Sequence, residues 1–215
     1  MVNRAKYIAF SGGEGVGKTT QIRLLKQYLE DNNYSVMIAK ELGTEYNQAS
    51  MVLRDLALNK KWGNSTDGPA RELIAQAARA INYHQVVKPN LHNYDFILQD
   101  RSMLCSMAYG TACGNNAQDI VNCFDMIYTD KHYGSIYDHL FLMQRDVDTG
   151  LKTAASIKQE FEQGDAMESK GLDFHNKVNS AYKAFLSLFA NTKIITTDNT
   201  PPEETLKEIV TSIIY

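Results

Sequence analysis

Gly12-Gly13-Glu14-Gly15-Val16-Gly17-Lys18-Thr19 fits the spacing G-x-x-x-x-G-K-[ST], and the residues on either side are those the spacing needs. Before it, residues 6–10 read as a short buried strand. After it, residues 20–30 carry Ile22, Leu25, Tyr28 and Leu29 on one helical stripe. Glycines in such a loop let successive backbone N–H groups turn inward around a polyphosphate, and the helix that follows adds its positive end. Gly12, Gly13, Gly15, Val16, Gly17, Lys18, Thr19 and Thr20 are therefore read as a cradle for a nucleoside triphosphate. Lys18 would reach the β- and γ-phosphates, and the Thr19 hydroxyl would be a ligand for magnesium, a hard ion that prefers oxygen.

Outward from the loop, 215 residues suffice for one α/β domain with a proper core and are short for two. The net charge of −3 argues against a nucleic-acid or membrane-surface binder, whose affinity would rest on a large positive field. Cys105, Cys113 and Cys123 are spaced for neither a zinc site nor a redox pair, which suits a reducing cytoplasm. The N-terminal apolar run is cut by Ser11 and the glycines, so it is not read as a signal peptide, and no later run reads as a membrane span.

Residues 35–39 resume as a strand after a polar break at Asp31-Asn32-Asn33, giving a βαβ unit and hence a parallel sheet. Residues 48–58 read as a helix, and 60–68 as a loop with the only tryptophan, Trp62, covering surface. A long helix is expected from Pro69, capped by Asp67 and closed by Pro89. Residues 95–100 form a third strand that delivers Asp100 and Arg101 to the carboxyl edge of the sheet, where open α/β sheets bind ligands. Helices at 103–109 and 117–128 flank a Gly114-Asn115-Asn116 turn, and a fourth strand follows at 139–143. Residues 146–170 are polar with charges of both signs and read either as a mobile helical excursion over the sheet edge or, equally on composition, as a plain solvated helical pair. An amphipathic helix at 173–189, a strand at 193–197, and a capping box at Thr200-Pro201-Pro202-Glu203 opening a last helix complete the pattern. The expected fold is α/β: a five-stranded parallel sheet of the P-loop NTPase type, flanked by helices, with a helical lid, in one P-loop domain spanning 1–215.

Several separated elements resemble the thymidylate kinase family of nucleoside monophosphate kinases over nearly the whole chain. The loop carries an acidic third residue, Glu14, which the resemblance places near the acceptor sugar. Ala77-Ala78-Arg79 resembles a helical element whose arginine hydrogen-bonds the acceptor base. Asp100-Arg101-Ser102, with Ser106, Ala108 and Tyr109, resembles the Asp-Arg motif and its helix. The resemblance implies that Arg101 clamps the acceptor phosphate, Asp100 helps to hold magnesium through water, Ser106 contacts the substrate, and Tyr109 crowds the 2′ position of the sugar. Arg54 is a further candidate for the acceptor phosphate. Asp173 to Val178 and Tyr182 resemble the helix after the lid. The family reading implies ATP as phosphoryl donor, Mg2+, dTMP as the foremost acceptor, Lys18, Arg101 and Asp100 as catalytic residues, small nucleotides as partners, and a homodimer.

The chain departs from the family at named positions. Where the lid would carry a catalytic arginine it reads Asp165-Ala166-Met167-Glu168, leaving Lys152, Lys158 or Lys170 as substitutes, each without the planar fork of a guanidinium. Ala75 stands where an aromatic stacks on the pyrimidine, and Gly110 where glutamine is common, so the base pocket is enlarged. Lys40-Glu41-Leu42-Gly43 matches Arg-Glu-Pro-Gly only loosely. Two other readings are compatible: a deoxynucleoside kinase that uses Glu41 as general base on a 5′-hydroxyl, and a nucleotide-binding protein with weak or no kinase activity.

Overall fold

The structure is a computed structural model, and it describes residues 4–65, 68–158 and 166–214. Five parallel strands, β1 (Lys6–Ser11), β2 (Val36–Lys40), β3 (Phe96–Asp100), β4 (His139–Gln144) and β5 (Thr192–Thr196), pair in the order β2-β3-β1-β4-β5. The chain runs from the central β1 outward to β2, returns to β3, and only then crosses to β4. This reversal puts a topological switch point beside β1, the place where α/β sheets open a ligand crevice at their carboxyl ends. In register, Phe10 lies opposite Asp100 and Asp100 opposite Lys40, so the loop after β1 and the Asp-Arg turn after β3 emerge side by side.

The alternation of side chains along β1 divides the core into two layers. Ile8 and Phe10 face Ile22, Leu25 and Leu29 of α1 (Lys18–Asp31) and Ile209 and Ile213 of α9 (Pro202–Ile214). Tyr7 and Ala9 face the other side, where α5 (Met103–Ala112), α6 (Ala117–Ile127) and α8 (Gly171–Phe185) pack with Tyr83. Leu25 and Leu29 are fully buried, a contribution of about 1.5–3 kcal/mol each relative to exposure. The remaining helices are α2 (Gln48–Leu58), α3 (Gly68–Ile81), α4 (Lys88–Asn90) and α7 (Val147–Lys158). No helix among the described residues is long and apolar enough to cross a membrane.

Expected and observed elements agree in type and order, with local differences. The long helix continues through a π turn over Asn82–Val87 and ends at Asn90, one residue past Pro89, so the proline closes it as expected and the π turn is the difference. The capping box is absent: the Thr200 hydroxyl donates to the Asp198 carbonyl, and the Pro201 carbonyl receives the first helical N–H groups. The 60–68 loop contains a 3-10 turn at Lys60–Ser65, and Trp62 covers the end of α2 by donating from Nε1 to Asp55. Asp67, the expected cap, lies outside the described residues.

Candidate active site

A cleft of about 700 Å³ runs along the carboxyl edge of the sheet, from the loop after β1 to the inner face of α3. The loop is shaped by backbone that other residues cannot supply. Gly12 has φ 138° and a Cβ there would meet the Met143 carbonyl; Gly15 has φ 64° and a Cβ there would meet the Gly150 carbonyl of α7. The Gly12 carbonyl accepts from Lys18 Nζ at 2.9 Å and from the Tyr182 hydroxyl at 3.1 Å, and the Gly13 carbonyl accepts from Lys18 Nζ at 2.5 Å. Gly12 and Gly13 thus back the loop, while Gly15, Val16, Gly17, Lys18, Thr19 and Thr20 line the cleft. Thr19 and Thr20 are exposed to it at the N-terminus of α1.

Across the cleft, Arg101 has a left-handed backbone, φ 69°, costly for a residue with a side chain and characteristic of functional turns. Its N–H is tied to the Phe10 carbonyl at 2.9 Å, and its guanidinium donates to Glu14 Oε1 at 2.9 Å. The Tyr109 hydroxyl donates to the same oxygen at 2.9 Å, and its ring lies 5.7 Å from the Arg101 guanidinium. One carboxylate therefore joins loop, Asp-Arg turn and α5. Burial would raise the Glu14 carboxyl, but Arg101 and Lys18, with the hydrogen bonds from Arg101 and Tyr109, outweigh it and hold it well below the ordinary carboxylate range. Lys18 is pushed down from the usual lysine range by burial and then by Arg101, against Glu14 and Asp100. Two cations pressed together in a buried cleft make a site that an anion relieves.

Asp100 is nearly buried between these groups, and its Oδ1 has no hydrogen-bond partner among the described residues. Arg54 lines the cleft from α2, donating to the Leu42 carbonyl at 2.6 Å. Arg79 is 1% exposed, and all its donors are engaged. Nε and Nη2 bond Glu41 Oε2 at 2.9 and 2.6 Å, Nη1 bonds Gln76 Oε1 at 2.8 Å and Ser106 Oγ at 2.9 Å, and Nη2 reaches the Ser102 carbonyl at 3.5 Å. To bond a base, Arg79 would have to release one of these partners. Glu41 Oε2 takes two charge-assisted bonds, while its buried Oε1 has no hydrogen-bond partner among the described residues.

A thymidylate kinase family model matches residues 10–210 of this chain. The chain belongs to the thymidylate kinase family. Among similar proteins, the thymidylate kinase of Finegoldia magna is 30% identical, covering 88% of this chain and 88% of that protein. The thymidylate kinase of Maridesulfovibrio salexigens is 28% identical, covering 97% and 94%. The crystal structure of thymidylate kinase from Ehrlichia chaffeensis superposes with a TM-score of 0.74 over 99% of this chain and 100% of that one, at 22% identity, which speaks for the fold.

The described part of the 146–170 segment is helical, as expected. Residues 146–158 are α7 and the turn before it, packed backbone to backbone on the loop through Gly150, whose Cβ would meet the Glu14 carbonyl oxygen at 2.5 Å. Asp165 and the side chains of Lys158 and Glu168 lie outside the described part. The Ala166 N–H bonds the Leu58 carbonyl at the end of α2, and Met167 is buried in the cleft wall beside Cys113. Lys152 is exposed and paired with Asp148, and Lys170 lies over the Phe174 ring; neither lines the cleft.

Two cleft residues escaped the sequence reading. Arg145, directly after β4, reaches the Gly15 carbonyl and the Thr153 hydroxyl at 3.4 Å each and the Thr197 carbonyl at 3.3 Å. Its signal was position, a charge at the carboxyl end of a strand. Glu72 lies one helical face with Gln76 and Arg79, at i, i+4 and i+7, a spacing that marks one side of α3.

Proposed function

We propose that this thymidylate kinase family member transfers the γ-phosphoryl group of ATP to the phosphate of dTMP, giving ADP and dTDP. The observation that carries the reading is the convergence of Lys18, Glu14, Arg101 and Tyr109 in one cleft: Glu14 belongs to the donor loop, yet its hydrogen-bond partners come from the opposite, acceptor wall. Loop amides and Lys18 hold the donor phosphates. Arg101 and Arg54 take the acceptor phosphate, with Tyr109 against the sugar. The acceptor oxygen is already anionic at neutral pH, so no strong general base is required, and catalysis is positioning and charge neutralisation. An acceptor phosphate oxygen attacks the γ-phosphorus in line as the bond to the β-phosphate oxygen breaks, and Lys18 stabilises the charge that spreads over the transferring group.

The donor set fits magnesium: a hydroxyl at Thr19 facing the cleft and a buried carboxylate oxygen of Asp100 without a partner, both hard oxygen donors. Bound there, the ion would neutralise charge on the phosphates. Arg145 supplies the guanidinium nearest the donor loop on the β4 side, the place for the charge absent at Ala166. The reading also includes a homodimer, supported by Met51 and Val52 of α2 and Leu73 of α3, apolar side chains 43%, 61% and 63% exposed on packed helices, and a cytoplasmic location, supported by three free thiols. ATP consumption measured with thymidine and with dTMP tests the reaction: turnover on dTMP alone is expected, and turnover on thymidine alone would replace this reading with a nucleoside kinase.

A further inference from the structure

The base end of the acceptor wall is organised around a carboxyl group. Beyond Tyr109 the next residue of α5 is Gly110, and a Cβ built there would lie 2.6 Å from Glu72 Oε2 and 2.7 Å from Ile120 Cδ1. The Glu72 carboxyl therefore occupies the space a side chain at position 110 would take. Its Oε1 accepts from Gln76 Nε2 at 2.6 Å. Ala75, one turn along α3 on the cleft side, adds only a methyl group, and Ser106 and Asn115 complete this end. The Arg79 guanidinium, which also lines the cleft, is saturated by Glu41, Gln76, Ser106 and the Ser102 carbonyl.

We infer that Glu72 Oε2, rather than the Arg79 guanidinium, reads the hydrogen-bonding edge of the acceptor base, selecting bases that present a ring N–H. A carboxylate only accepts. It pairs with the N3–H of thymine and is repelled by the bare N3 lone pair of cytosine, a base of the same size. Burial pushes the Glu72 carboxyl up from its ordinary range, while hydrogen bonds from Gln76, the charge of Arg79, and hydrogen bonds from Asn115 and Ser106 draw it back. A buried acceptor left facing a second acceptor is the kind of mismatch that discriminates strongly between substrates.

This inference rests on the dTMP reading above, and its test separates the two. Specificity, as the ratio of kcat/KM for dTMP to that for dCMP, is measured in the wild type, in Glu72→Gln and in Gly110→Ala, with circular dichroism to show that each is folded. Glutamine keeps an oxygen for the thymine N–H and adds an N–H for the cytosine nitrogen, so the ratio is expected to fall at least tenfold, mostly through gain on dCMP. Gly110→Ala keeps the carboxylate but drives it from its seat, and the ratio is expected to fall through a higher KM for dTMP. Turnover of dTMP by the wild type with an unmoved ratio in either folded variant overturns the inference alone. Failure of the wild type to phosphorylate dTMP overturns the functional reading and this inference with it.

Discussion

The two ends of the cleft are built from different material. The donor end is mostly backbone: loop amides, the N-terminus of α1, and glycines whose Cβ positions are already filled by the carbonyls of Met143 and Gly150. The acceptor end is mostly side chain: Glu14 bonded to Arg101 and Tyr109, Arg79 bonded to Glu41 and Ser106, and Glu72 bonded to Gln76. A backbone site recognises what all triphosphates share, and it tolerates little change in the chain that forms it. A side-chain site can be edited one residue at a time, and this chain carries its departures from the family there and in the lid.

The contrast can be broken most forcefully at Lys18, the buried cation of the donor loop. Lys18→Ala is expected to lower kcat/KM by about 10³-fold, in the range of other charge-stabilising groups in phosphoryl transfer; a steady-state assay with near-normal turnover would remove the loop from the mechanism. At the acceptor end, Arg101→Ala should cost about 10²-fold, expressed chiefly as a raised KM for the monophosphate with the KM for ATP little changed. A loss shared equally by both substrates would erase the distinction between the ends.

Glu14 spans both ends, and Glu14→Gln sharpens the comparison twice. Loss of a charge-assisted bond is expected to cost about tenfold in kcat/KM for the acceptor. Because folding lowers this carboxyl, its contribution to stability is complete above the unfolded value of about 4.3 and is lost as pH falls toward the lowered folded value. Denaturation midpoints followed from neutral pH down to about 3, past the unfolded carboxyl value, should fall further in the wild type than in Glu14→Gln. Equal slopes would mean that the pair is not maintained in solution.

Gly150→Ala pushes on the loop without touching any catalytic side chain, since its Cβ would meet the Glu14 carbonyl. A several-fold rise in the KM for ATP is expected. The smallest effect belongs to Lys152→Ala: an exposed i,i+4 pair with Asp148 contributes little, and kcat should change less than about twofold. A large loss there would return a lysine of the lid to the reaction.

The same contrast explains what the sequence could disclose. The loop is contiguous, and its strand, glycines and helix stand in order, so the donor end and the parallel sheet were legible at once. Asp100 and Arg101 were legible as the end of a strand, although it took the register Phe10 to Asp100 to put them beside the loop. The commitments of Arg79 were hidden because its partners Glu41 and Ser106 lie 38 and 27 residues away. The π turn at Asn82–Val87, where Tyr83, Val86 and Val87 pack into the core, was hidden because no residue type in the stretch marks a π turn. Arg145 and Glu72 belong to no contiguous pattern, and only the closed geometry of the cleft gives them a place.

The central claim, that donor and acceptor share this one cleft, is tested most directly by a single-turnover experiment with γ-labelled ATP, excess protein and dTMP. Label should move stoichiometrically into the β-phosphate of dTDP, with none released as inorganic phosphate. Label that stays in ATP, or appears as inorganic phosphate whether or not dTMP is present, would contradict it.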